Sequence, residues 1–172
     1  MGVGDLMAKM SVEGLEEYAL RLSKMGDTSA EMTKKAVWQG ADVVADAIKN
    51  GLKGIPIQEG ENGLPPIGTE SEKLHGITRR QKADLTDSFG LAPMKEDRGY
   101  IQTKAGFDGY GSVKTKKYPK GVPNAVLMRS IESGTSFREK KPVIRTAVNK
   151  SRKQAEEEMQ KSIDESCKKI FG

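Results

Sequence analysis

Cysteine and histidine are nearly absent from this chain of 172 residues, which contains one of each. With a single cysteine, Cys167, the chain can form neither an internal disulfide nor a metal site that needs several cysteines. With a single histidine, His75, it cannot build a zinc site that needs two imidazoles, and any catalytic triad would have to use that ring. Aromatic residues make up only 5 % of the chain. The chain therefore has few of the side chains on which most enzymes depend.

Long hydrophobic runs are also missing. No stretch approaches the roughly 20 apolar residues of a membrane-spanning helix. The first ten residues, MGVGDLMAKM, lack the apolar core of a signal peptide, and Leu6 stands where a myristoylation motif needs Ser or Thr. We therefore expect a soluble protein with no membrane partner, and a chain of this length is typical of a single domain.

Positive charge is in excess, but it is unevenly distributed along the chain. The net charge is +5, from 29 basic and 24 acidic residues. Residues 112–153 hold 12 basic and 2 acidic residues, a net charge of +10, so the remainder carries −5. Such a dipole suits nucleic acid or the acidic surface of a second copy. The candidate interface or DNA-facing residues are Lys114, Lys116, Lys117, Lys120, Arg138, Lys140, Lys141 and Arg145.

Hydrophobic periodicity predicts two helices in the N-terminal third. The first covers residues 11–25 and ends at Gly26. The second begins at Thr28, which stands with Glu31 at the spacing of a capping box, and it ends around residues 51–54. Its predicted apolar stripe consists of Val37, Trp38, Ala41, Val44, Ala45, Ile48 and Leu52.

The middle of the chain predicts a long loop and then a hairpin. Residues 53–76 hold five glycines and three prolines and predict a long flexible loop. A short helix is predicted over residues 77–87. Alternating side chains predict antiparallel strands over 88–94 and 100–107, joined by a turn at 97–99. A basic loop, residues 110–124, follows.

Two helices are predicted in the C-terminal third. The first covers residues 125–132 and ends at Gly134, and the second begins at Pro142 and continues to residue 170. At about 43 Å this last helix is as long as a compact domain of this size is wide, so we expect part of it to extend beyond the domain. The expected fold class is α+β, in one domain over residues 1–172. The predicted apolar stripe of the last helix is Ile144, Val148, Ala155, Met159, Ile163, Cys167 and Ile170.

Three weak patterns contain residue types that are found in functional sites, and none of them predicts a catalytic, cofactor or metal site. A Cys167 thiolate would need His75 within hydrogen-bond reach, whereas a small semi-buried cysteine is the commoner situation. Asp42 and Asp46 share a helix face, but no further ligand is spaced to complete a metal shell. The glycine-rich stretch 106–111 does not open into a helix, as a phosphate-binding loop would, and predicts a turn.

Residues 112–153 keep a second function open, that of a small basic nucleic-acid-binding module. Four lysines surround Tyr118, a mixture of charge and stacking ring found in single-strand binders. One aromatic residue is too few for a stacking platform, and no helix-turn-helix, RNP or zinc-finger pattern occurs. An acidic protein partner would account for the charge equally well.

Several stretches resemble one protein family. ADLTDSFGLAPM (83–94), GYIQTKAGFDGYG (99–111), KTKKYPKGVPN (114–124) and IESGTSFREKKPVIRTAV (131–148) are similar to the tail-completion, or head–tail joining, proteins of tailed bacteriophages and prophages. Residues 11–26 and 36–52 resemble the family's opening helices. The most specific motif is Glu132, Ser133, Gly134, Thr135 and Ser136, followed by Pro142.

The resemblance implies a structural virion protein, with no enzymatic activity, no cofactor and no small-molecule substrate. It implies a tail-terminator-like fold and a homo-oligomeric ring at the proximal end of the tail, in the neck. The implied partners are further copies of the chain, the tail terminator, the tail tube and the head-closure (stopper) protein, with non-specific proximity to DNA. Such a protein is assembled in the cytoplasm of the host bacterium and ends in the virion.

Overall fold

A long antiparallel pair of helices, α1 (Val3–Lys53) and α4 (Val143–Phe171), runs through the computed structural model. The structure describes the backbone of residues 3–172 and the side chains from residue 23 onward, except those of residues 24 and 27. A Cβ atom placed on Gly51 would lie 2.9 Å from Cγ1 of Val143, and one placed on Gly40 would lie 2.6 Å from Cγ of Met159. The two helices therefore approach closely at both glycines.

The prediction of two N-terminal helices is wrong, because α1 is continuous. Gly26 is exposed inside the helix, and the hydroxyl of Thr28 donates to the carbonyl of Met25, 3.4 Å away, instead of capping a new helix. A glycine in a helix interior costs only about 1 kcal/mol relative to alanine, which does not by itself end a long helix. Most side chains of the first predicted helix, residues 11–25, lie outside the described side chains.

The buried face of α1 matches the predicted stripe only in part. Ala45, Ile48 and Leu52 are buried in the main core, as expected. Trp38, predicted to belong to the stripe, is exposed. Val37, Ala41 and Val44 are half-buried. Toward its N-terminal side the buried positions of α1 are instead Met32, Ala36 and Gly40.

A β-ribbon follows the helix α2 (Arg79–Ser88), which Thr78 and Gln81 cap reciprocally. Strand β1 (Phe89–Leu91) pairs with β4 (Ala105–Phe107), and β2 (Lys95–Asp97) pairs with β3 (Tyr100–Gln102), all antiparallel.

The ribbon confirms the predicted hairpin turn. Arg98 and Gly99 both have positive φ, 50° and 82°, the conformation of a type I′ hairpin turn. The pairing register changes by one residue between Leu91–Ala105 and Lys95–Gln102, so residues 92–94 form a bulge at Pro93.

The last two helices enclose the core, and the α+β class is confirmed. Helix α3 (Asn124–Ser133) ends at Gly134, and the long C-terminal helix α4 begins after Pro142, as predicted. The core is formed where α1, α2, α3, β1 and the start of α4 meet, and its members are Ala45, Ile48, Leu52, Ile55, Ile77, Leu85, Phe89, Leu127, Met128, Ile131, Val143 and Ala147.

The apolar stripe predicted for α4 is rotated from the observed one. The buried positions are Val143, Ala147, Ser151, Ala155 and Ser162, of which only Ala155 was predicted. Ile163 is exposed on the surface. Small side chains occupy the buried face because a close approach to α1 leaves no room for large ones. A search for large apolar residues therefore selects a neighbouring face.

Candidate interaction site

An apolar cleft of about 620 Å³ is the most distinctive surface feature of the described molecule. One wall is the segment Pro65–Gly68, and the facing wall is part of the basic loop, from Val113 to Val122. Helix α3 contributes Val126, Leu127 and Ser130. We call this space the apolar cleft.

The first wall belongs to a segment that contains acidic side chains and no basic ones. Residues 59–72, here called the acidic segment, contain four glutamates and no lysine or arginine. Its base is held by Gln58, whose Oε1 accepts the backbone N–H groups of His75 (2.9 Å) and Gly76 (3.0 Å). Glu59 pairs with Arg79. The predicted long loop thus has an irregular path whose two ends are hydrogen-bonded together.

The second wall belongs to the basic loop, which contains basic side chains and no acidic ones. Its four lysines, Lys114, Lys116, Lys117 and Lys120, are all exposed. The carboxylate of Asp84 in α2 anchors the loop by accepting both the N–H and the hydroxyl of Ser112, each at 2.8 Å.

A tight turn shapes the tip of the basic loop. Thr115 and Tyr118 exchange two backbone hydrogen bonds of 3.1 Å. The ammonium of Lys117 lies 5.5 Å from the centre of the Tyr118 ring, within the range of a cation–π contact. Both Lys117 and Tyr118 line the apolar cleft.

Arg138 lies in the cleft wall but not on the surface, contrary to its expected place among the DNA-facing residues. It is 6 % exposed, and its Nη1 donates to the carbonyl of Gly76 at 2.6 Å. Its Nε has no hydrogen-bond partner, and no carboxylate pairs with it among the described residues. Burial lowers the pKa of Arg138 below the usual value for arginine. Its charge is therefore unpaired and poorly solvated.

The motif Glu132–Ser136 builds the joint between α3 and α4. The carboxylate of Glu132 accepts the backbone N–H groups of Ile144 (2.8 Å) and Arg145 (2.9 Å), which are free donors at the start of α4. Gly134 has φ 73°, and a Cβ atom there would lie 3.0 Å from the backbone nitrogen of Lys140.

The rest of the motif forms the turn into α4. Thr135 donates its N–H to the carbonyl of Arg138 at 2.9 Å, and its hydroxyl accepts the N–H of Phe137 at 3.3 Å. Ser133 and Ser136 are exposed, and Pro142 directly precedes α4. The motif therefore has a structural role, since the Glu132 carboxylate and the Thr135 hydroxyl both accept hydrogen bonds from backbone N–H groups.

The predicted basic residues are distributed over more than one surface. Lys117 and Arg138 line the apolar cleft. Lys141, which is half-buried, lines a second cleft of about 460 Å³ between α1 and α4, together with Lys150. Lys140 and Arg145 are exposed and line neither cleft. The eight candidates therefore do not form one cluster.

The other residues with chemical potential lie on separate elements. His75 is exposed in the loop before α2, and Cys167 is half-buried on α4. Asp42 and Asp46 are exposed on α1. Within the described part of the chain, no three His, Cys, Asp or Glu side chains are grouped as a metal site would require. No helix in that part is long and apolar enough to cross a membrane.

Sequence reasoning missed the apolar rim of the cleft. Ile67, Val126 and Phe137 are large apolar side chains that line the cleft, yet each is exposed, with Ile67 at 93 %. Leu64, which precedes the lining segment, is exposed as well. The sequence contained a signal for two of them, because Leu64 and Ile67 flank two prolines inside a polar stretch where no core element is predicted. Val126 and Phe137 lie far apart in sequence from that stretch, and only the folded chain brings them to the rim.

Comparison of this chain with known protein families, with curated proteins and with solved structures finds no match.

Proposed function

We propose that this chain is a structural virion protein of a tailed bacteriophage or prophage. In this role it completes the proximal end of the tail and takes part in head–tail joining as a ring of identical subunits. Its partners are neighbouring copies of itself, the tail terminator, the tail tube and the head-closure protein.

The single observation that carries the proposal is a cleft that combines exposed apolar side chains with two basic ones, Lys117 and Arg138, and that is bordered by an exposed acidic segment. Exposed contiguous apolar surface on a folded chain marks a protein contact site. Such a chain favours contact between like subunits, since the acidic segment of one copy can face the basic loop of another. The resemblance of the Glu132–Ser136 motif to the tail-completion family supports the same proposal. The hydrogen bonds of Glu132 and Thr135 to backbone groups are compatible with a structural role.

The test is deletion of the coding sequence from the phage or prophage genome that carries it. We expect full heads and tails that fail to join, counted by electron microscopy, with joining restored by the wild-type chain supplied in trans. Normal joining in the deletion strain would overturn the proposal.

A chain with both His75→Ala and Cys167→Ala is the matched control for catalysis. We expect this chain to restore joining as well as the wild type does. If it folds but fails to restore joining, a reactive role for these two residues replaces the structural one.

A second candidate function, a nucleic-acid-binding module, is favoured by the basic loop. Its four lysines are exposed, and none pairs with a carboxylate among the described residues. Affinity for phosphate backbones needs only such a surface. The dependence of DNA binding on salt distinguishes this function from assembly.

A further inference from the structure

The two segments that contribute to the lining of the apolar cleft carry charges that remain unpaired in the single chain. On the acidic segment, Glu61, Glu70 and Glu72 are exposed and make no salt bridge with any described residue. The four lysines of the basic loop are also exposed and also make no salt bridge with any described residue. The acidic segment and the basic loop therefore form no ion pair with each other in the single chain, and both are available to another molecule.

Ile67 is the most exposed large apolar side chain that the structure describes, at 93 %. Burial of an isoleucine side chain is strongly favourable, so a partner that covers Ile67 would gain the free energy of removing this surface from water. Pro65 and Pro66 restrict the backbone that leads to Ile67, and a segment held in one conformation loses little freedom when it binds. The segment Leu64–Ile67 thus has the properties of a preformed docking element.

The occupant of the cleft can be described from the cleft itself. It must offer an apolar tip to Val126 and Phe137, and its flanks must be acidic, because both charged side chains that line the cleft, Lys117 and Arg138, are basic. The unpaired, buried guanidinium of Arg138 adds positive potential to the cleft from the side of Gly68 and Leu74. The acidic segment of the chain itself meets each of these requirements.

Building on the ring assembly proposed above, we infer that the segment Leu64–Ile67 of one copy docks into the apolar cleft of the next copy. Ile67 of the first copy is covered by Val126 and Phe137 of the second, and the acidic segment of the first lies against the basic loop of the second. Each copy offers one segment and one cleft, so the contact can repeat around a ring.

Two measurements on the full-length chain test this contact. In sedimentation, Ile67→Ser is compared with Ile67→Val and with Tyr100→Ser, the last at a hairpin position that is 78 % exposed. We expect Ile67→Ser to weaken self-association at least tenfold. We expect Ile67→Val and Tyr100→Ser to leave it unchanged, with circular dichroism identical for all four proteins.

In disulfide trapping, carried out in a Cys167→Ser background, a chain with Ile67→Cys is mixed with a differently tagged chain carrying Val126→Cys. We expect a disulfide between the two tagged chains, and none when Tyr100→Cys replaces Ile67→Cys. The same cysteine pairs are tested in assembled particles.

The outcomes separate this contact from the proposed function. If the wild type associates, Ile67→Ser associates equally well and no crosslink forms, the docking is wrong and the ring proposal stands. If the crosslink forms but assembly stops at two copies, the docking stands and the ring is wrong. If the wild type remains a monomer both in concentrated solution and in particles, both are wrong.

Discussion

Removing the carboxylate of Glu132 should destabilise the whole domain, although the residue is not part of the core. The side chain satisfies two backbone donors at the start of α4, Ile144 N at 2.8 Å and Arg145 N at 2.9 Å. Loss of a capping side chain costs about 1 kcal/mol, and hydrogen bonds to a charged group contribute about 1.5–3 kcal/mol. The negative charge also favours the positive end of the α4 dipole by about 0.3–1 kcal/mol.

One opposing effect reduces this sum. Glu132 lies in the last turn of α3, where a negative charge is disfavoured by a few tenths of a kcal/mol. We therefore expect Glu132→Ala to lower the free energy of unfolding by about 2 kcal/mol. Glu132→Gln should lower it by about 1 kcal/mol, since the amide oxygen can still accept one of the two bonds.

The assay is urea unfolding followed by circular dichroism, with thermal unfolding as a second measurement. For a chain of this length, 2 kcal/mol corresponds to a fall in Tm of about 4–8 °C. Glu139→Ala is the matched control, because Glu139 is exposed and its carboxylate accepts no hydrogen bond from another described residue. It should change stability by less than about 0.5 kcal/mol. If Glu132→Ala behaves like this control, the capping role assigned to Glu132 is wrong.

Two further predictions concern α1 and the basic loop. Gly26→Ala should raise the free energy of unfolding by about 0.5–1 kcal/mol, because Gly26 lies inside a helix with no neighbouring atom within 4 Å of an added Cβ; a loss of stability in urea unfolding would mean that the chain needs a break there. Replacing Lys114, Lys116, Lys117 and Lys120 together by Gln should abolish self-association, because the acidic segment of the neighbouring copy then has no basic loop to face. If these lysines instead bind DNA, the slope of log affinity against log salt should fall in magnitude by about 3.6, and this result would favour the nucleic-acid-binding module.

The elements that follow from local chemistry could be predicted from the sequence. Arg98–Gly99 predicts a hairpin turn because its backbone preference is local, and Gly134 and Pro142 mark helix boundaries for the same reason. Gly26 misled the prediction, since the cost of one helical glycine is small compared with the hydrogen bonds that a continuous helix keeps.

The candidate site was less accessible from sequence, because its properties arise from folding. Arg138 belongs to a basic run and carries no mark that distinguishes it from Lys140, yet the fold buries one and exposes the other. Its burial depends on the carbonyl of Gly76, which is 62 residues away in the chain. Ile67 could be recognised as unusual in a polar stretch, but Val126 and Phe137, which share the rim with it, could not.

The two glycines of α1 have a mechanical consequence. The side chain of Val143 packs into the gap left by Gly51, and that of Met159 packs into the gap left by Gly40. Sliding α4 along α1 by one helical turn, about 5.4 Å, would move both side chains out of these two gaps at the same time. The pair can therefore resist shear along its axis while still separating sideways.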